Sequence, residues 1–115
     1  EGALVSTPLL GLPDSFPTDG FTEVVDADRV SGTLGVRGWR EGDRVQPVGM
    51  EGSRLVSDLL RERGVPRADR ARVPVVLVEG EIAWVVGHRL SGRVAVTTET
   101  RRVLEWAWRQ SDGAG

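Results

Sequence analysis

The chain has 115 residues, 39% hydrophobic and 28% charged, with a formal net charge of −2; that suffices for one domain with a modest core and is too little for a multidomain enzyme. It has no cysteine, which excludes thiol catalysis, disulfides and Cys-ligated metals, and no apolar run near the roughly 20 residues that a membrane span needs. All fifteen basic residues are arginine, and residues 1–36 hold six acids against Arg29 alone, whereas 37–109 hold fourteen arginines against ten acids. A basic body behind an acidic leader keeps a nucleic-acid partner among the readings, and each cation is a planar fork suited to bidentate phosphate contacts. No signal peptide is visible. Without an initiator Met the chain reads as a piece of something longer, and the lack of disulfides favours the cytoplasm.

Residues 1–20 contain three of the six prolines and no sustained periodicity, and read as a linker or extended lead-in along the surface. "FTEVV" (21–25) alternates as a strand does, with a turn at "DADRVSG". "TLGVRGW" (33–39) is a second strand candidate, with Leu34 and Val36 on one face. "RVQPVG" (44–49) is a third, confined by Pro47 to an edge or a bulge. "SRLVSDLLRERG" (53–64) predicts the principal helix. Leu55, Val56, Leu59 and Leu60 form its apolar stripe, Ser53 its N-cap and Gly64 its stop, with Arg54, Ser57 and Arg61 on the solvated face. "RADRAR" (67–72) predicts a helical turn. Val75–Val78 and Ile82–Val86 flank Glu79-Gly80-Glu81 as a β-hairpin, "RVAVT" (93–97) reads as a further strand, and "RVLEWAW" (102–108) as the last, after a "TTET" turn. Residues 110–115 read as a disordered tail. Five or six short strands with one principal helix and no βαβ rhythm predict a small α+β domain with a mainly antiparallel sheet over residues 21–109.

Catalytic equipment is sparse. His88 is the only histidine, so two-histidine metal motifs are impossible. There is no nucleophile elbow, no phosphate loop and no lysine with which to build one. Carboxylates are interleaved with arginines (Glu41 and Asp43 with Arg40 and Arg44, Asp69 with Arg67 and Arg70), a pattern of surface ion pairs. The stretch "RGWREGDRVQPVGMEG" (37–52) stands apart. Its glycines at 38, 42, 49 and 52 suit close approach to an anion beside Arg37, Arg40 and Arg44, and the N-terminal end of the following helix would add to such a site. The same residues also fit a plain turn at Gly42-Asp43 and a helix start at Gly49–Gly52, with no ligand.

The order of residues carries more. From Val24 to Trp106 the chain shows Asp26/Asp28, Arg37, Gly42-Asp43-Arg44, Pro47-Val48-Gly49-Met50, Gly52, Asp58, Val65-Pro66, Arg72, Pro74, Ile82-Ala83-Trp84-Val85-Val86-Gly87 and Val96-Thr97. That ordered set resembles the C-terminal domain of bacterial tRNA(Ile)-lysidine synthetase, a domain type related to one in the β subunit of phenylalanyl-tRNA synthetase. Ser53 and Arg54 stand where the family commonly has two lysines.

The resemblance implies a tRNA-recognition module that contacts the acceptor stem of an isoleucine tRNA. The parent ligase would join lysine to the wobble cytidine using ATP and Mg in an N-terminal catalytic domain, leaving this domain without a cofactor, a metal or a catalytic residue of its own. The expected RNA contacts are Arg37, Arg40, Arg44, Arg54 and Arg61, with Arg67, Arg70 and His88 as a second group; they would read phosphates and shape rather than base sequence. The competing expectation is an interdomain or homodimer module without RNA contact, packing through Trp84, Trp106 and Trp108 and the acidic leader. A free-standing enzyme built on His88 is the weakest reading.

Overall fold

The computed structural model describes residues 2–110. Strand β1 (Gly2–Leu9) is followed by β2 (Thr22–Asp26), a single 3-10 turn at Ala27–Arg29, and β3 (Leu34–Gly38). Next come β4 (Arg44–Val45), β5 (Arg54–Leu55), helix α1 (Val56–Glu62) and the short α2 (Arg67–Arg70). The chain ends with β6 (Pro74–Val78), β7 (Glu81–Val85), β8 (Arg89–Leu90) and β9 (Val103–Gln110). The strands form three antiparallel sheets, in orders β1-β9-β2, β3-β6-β7-β8 and β4-β5. This is the small antiparallel α+β architecture that the residue pattern predicts.

Two layers of core explain the arrangement. The β1-β9-β2 sheet faces the larger sheet across Val25, Val76, Trp84, Val86, Val94, Trp106 and Trp108. Trp84 and Trp106 stack with ring centroids 6.2 Å apart, an aromatic pair worth about 0.5–1.5 kcal/mol beyond its area burial. On the other side of the larger sheet, Val56, Leu59 and Leu60 of α1 pack on Val75, Leu77, Ile82 and Val85, each such side chain contributing about 1.5–3 kcal/mol. The apolar run Ile82–Val86 is buried throughout because both faces of β7 are covered. A register shift opposite Val76/Leu77 leaves Ala83 as the extra residue, so Ile82 and Val85 face the helix while Trp84 faces the other sheet.

The hairpin turn is as expected. Glu79 and Gly80 both take positive φ, 52° and 82°, the two-residue type I′ geometry. α1 ends at Glu62, and Gly64 turns the chain out of it with a φ of 75°, the Val65 N–H reaching back to the Leu60 carbonyl.

Three expectations are corrected. Residues 2–9 are not a linker: β1 pairs residue for residue with β9 from Gly2↔Gln110 to Leu9↔Val103. As an edge strand it tolerates Pro8 and needs no strict alternation, since only Leu4 packs against the core. "RVAVT" forms no strand. Ser91 turns the chain there, its Oγ accepting from the Arg93 N–H, and only Ala95 bridges, to Val25. Leu34 and Val36 do share one face of β3, an edge strand, and that face is outward, 42% and 47% exposed. Helix α1 starts at Val56, not at Ser53; Arg54 and Leu55 pair with β4 instead. Of the expected tail, Gln110 closes β9 and 111–115 lie outside the described residues.

Candidate nucleic-acid interface

The Arg-Gly stretch is organised by one carboxylate. Arg40 to Asp43 close a turn, the Asp43 N–H donating to the Arg40 carbonyl at 3.0 Å, and Gly42 supplies the required φ of +92°. The Asp43 side chain then accepts from the Arg40 N–H at 2.7 Å and from both terminal nitrogens of Arg37 at 2.8 and 3.1 Å. Its carbonyl accepts from the Val56 N–H at 2.9 Å. The Arg37 bond holds the Asp43 carboxyl below its ordinary range, against the opposing effect of burial, and the Arg40 N–H adds to the lowering. The turn reading therefore describes Gly42-Asp43. At the start of α1 the first N–H is already bonded to the Asp43 carbonyl, and Leu55 caps without a side-chain bond.

The remaining expected contacts fall into distinct neighbourhoods. Arg44 donates Nε to Ser53 Oγ at 2.8 Å and a second nitrogen to the Ser53 carbonyl at 3.1 Å. Ser53 thus serves Arg44 rather than the helix. With Arg37 and Arg93, Arg44 lines a groove of about 340 Å3 that also exposes Glu81, the ion-pair partner of Arg93. Arg54 is held by Glu62, and Arg61 by Asp58 at 2.8 Å, so both helix-region cations carry a carboxylate. Arg40 is exposed and its guanidinium has no partner among the described residues.

Arg67 and Arg70 line a second recess with Trp39 and Glu41. Arg70 is anchored, donating Nε to the Val65 carbonyl at 2.9 Å, whereas Arg67 is exposed with no side-chain partner among the described residues. Asp69, expected to pair with either, pairs with neither; Asp43 takes Arg37 instead of Arg40 or Arg44. His88 lies elsewhere, in a recess with Leu12, Phe16 and Val48. Its Nδ1 accepts from Arg63 Nε at 2.9 Å, so the neutral ring carries its proton on Nε2. Burial first, and the Arg63 charge second, push its pKa down.

Two contributors escaped the sequence reading. Arg93 enters the groove only because Ser91 turns the chain back, and Arg72 joins Arg37 in a cleft beside Trp108 only through the β3–β6 pairing. No spacing signal marks either. Among the described residues no group of three or more His, Asp or Glu could hold a metal, and no helix is long and apolar enough to cross a membrane.

Against known families, residues 34–106 match the family model described as TilS substrate C-terminal domain. The chain belongs to that lysidine synthetase domain family. It is 35% identical over 111 residues to a tRNA(Ile)-lysidine synthase of Dehalococcoides mccartyi, covering 95% of this chain and 24% of the relative. To the tRNA(Ile)-lysidine synthase of Caldanaerobacter subterraneus it is 33% identical over 91 residues, 79% of this chain and 20% of the relative. The chain thus spans about a fifth to a quarter of these curated relatives. A crystal structure of a TilS C-terminal domain superposes with a TM-score of 0.79 at 28% identity, covering 96% of this chain and 85% of the other. An N-terminal fragment of the phenylalanyl-tRNA synthetase β subunit from Pyrococcus horikoshii shares the fold, with a TM-score of 0.63 at 15% identity over 79% of this chain and 28% of the other.

Much of the ordered motif set of this TilS domain builds the fold. The buried Asp26 accepts from Thr100 Oγ1 at 2.8 Å and from the Asp28 N–H at 2.9 Å, while Asp28 pairs with Arg102. These bonds tie the end of β2 to the turn before β9. Pro47 is buried and bridges Ser91. Trp84, Trp106 and Trp108 are at most 9% exposed, so they serve this domain's own core rather than an interface.

Proposed function

We propose that this chain is the tRNA-binding accessory domain of a tRNA(Ile)-lysidine synthetase, gripping the acceptor stem of an isoleucine tRNA through phosphate and shape contacts. In this reading the parent ligates lysine to the wobble cytidine with ATP and Mg, in the cytoplasm, and another domain of that polypeptide performs the chemistry. The observation that carries the RNA contact is a set of exposed guanidinium groups without carboxylate partners among the described residues, Arg40, Arg67 and Arg72, together with the groove of Arg37, Arg44 and Arg93. Cations in that state meet a phosphate without first breaking an ion pair. An A-form stem is read this way because its major groove is too narrow for side chains. The test is binding of an isoleucine tRNA transcript compared with the same transcript lacking its acceptor stem. Tight binding to the first and a large loss with the second is expected; equal affinity for both overturns the acceptor-stem assignment.

A structural role has one observation in its favour: the unpaired edge strand β3 presents Leu34 and Val36 to solvent. A sedimentation experiment discriminates. A tight dimer indifferent to tRNA favours the structural reading, and a monomer that binds tRNA excludes it.

A further inference from the structure

The recess beside α2 has a composition that phosphate contacts do not require. It encloses about 370 Å3 and is lined by Trp39, Glu41, Arg67, Arg70 and Ala71. Trp39 is half-buried and packs against the helix-side core. Its Nε1–H donates to the Arg70 carbonyl, and its backbone N–H to the Val73 carbonyl at 3.2 Å. The indole is therefore fixed, and its one polar atom is used within the domain. What it offers the recess is ring surface.

The polar groups around it differ in their freedom. Arg70 is tied to the Val65 carbonyl. Glu41 and Arg67 are exposed, and neither side chain has a hydrogen-bond or ion-pair partner among the described residues. Asp43 and Arg37, six residues apart, form an ion pair; Glu41 and Arg67, which line one recess, do not. A fixed aromatic ring, a free acceptor and a free cation are what an unstacked nucleotide uses. Its base stacks on the ring, an exocyclic amino group donates to a carboxylate, and its phosphate meets a guanidinium.

We propose that this recess holds one unstacked nucleotide of an RNA strand, with the base on Trp39, Glu41 accepting from its amino group and Arg67 at its phosphate. The proposal rests on the RNA-binding reading and deepens it, adding a place for an unpaired base to the phosphate contacts along a duplex. Cytosine, adenine and guanine carry the amino group that Glu41 would accept from, and uracil does not. The recess accordingly favours tetracytidylate over tetrauridylate.

The chain reports its own binding. Of its four tryptophans, Trp84, Trp106 and Trp108 are at most 9% exposed, which leaves Trp39 to respond to a ligand in solution. Titrating the 115-residue chain with tetracytidylate at low salt should quench its fluorescence saturably, and tetrauridylate should bind more weakly. Glu41→Ala should abolish that preference, and Arg67→Ala should weaken both oligonucleotides. By anisotropy of labelled tetracytidylate, Trp39→Leu should lose roughly tenfold in affinity, the scale of one base–aromatic stack. Because Trp39 packs on the core, the two exposed positions carry the test if Trp39→Leu does not fold. Intact tRNA binding without any oligonucleotide quenching overturns the recess and leaves the RNA reading standing. Quenching that persists unchanged in Glu41→Ala and Arg67→Ala also overturns it, and failure of both tRNA and oligonucleotide to bind removes the two together.

Discussion

Two groups of arginines share the basic body of this domain and differ in what holds them. Arg37, Arg54 and Arg61 each sit on a carboxylate, Asp43, Glu62 and Asp58 respectively. Arg40, Arg67 and Arg72 are exposed without one among the described residues. A paired guanidinium must surrender its partner before it meets a phosphate, and deleting it strands the carboxylate. An unpaired one costs the fold nothing to lose. Charge counted along the chain merges the two groups; only the folded geometry separates a cation that holds the domain together from one available to a partner.

The sharpest way to break the distinction is at its best-built pair. Asp43→Ala removes the acceptor for Arg37 and for the Arg40 N–H, and should destabilise the domain by about 2 kcal/mol, lowering Tm by roughly 8–16 °C. Thermal unfolding checks this, and an unchanged Tm would show that the node does not hold the turn. Arg37→Ala should cost about 1 kcal/mol in the same assay, since the pair is partly solvated. By contrast, Arg40→Ala and Arg67→Ala should leave stability within about 0.5 kcal/mol while weakening tRNA binding, measured by filter retention or anisotropy.

The pH profile sharpens the same contrast with a smaller effect. The Asp43 carboxyl is depressed in the folded domain, chiefly by Arg37, so its contribution is present above the ordinary carboxylate value of about 3.9 and is lost as pH falls through the depressed one. Asp43→Asn should lower stability across the neutral range and flatten the acid limb of a denaturation series, the difference from the parent chain closing as pH falls. His88 is also depressed, by burial and then Arg63. Its contribution is present above about pH 6.5 and lost below, so His88→Gln should reduce only the slope on that side.

The elements legible in the sequence were those whose apolar pattern is local. The stripe of Val56, Leu59 and Leu60, the hairpin at Glu79-Gly80 and the alternation of Leu104, Trp106 and Trp108 each state their own burial. β1 was hidden because an edge strand is specified by its partner's backbone, and "RVAVT" misled because alternation over five residues does not reveal that Ser91 turns the chain. At the candidate interface the residue types were legible and the pairings were not. Asp43 lies nearer in sequence to Arg40 and Arg44, yet β3 delivers Arg37 to it. Trp39, one residue from Arg40, was visible as an aromatic, but its place beside Arg67 depends on α2 folding back against the end of β3.

The central claim is that the unpaired arginines meet RNA phosphates, and salt titration tests it most directly. The affinity of the 115-residue chain for isoleucine tRNA should fall linearly on a log–log plot against salt. The slope should shrink by about 0.7–0.9 in Arg67→Ala and change by less in Arg37→Ala. Binding that ignores salt, or slopes that shrink equally in the two variants, would contradict the account.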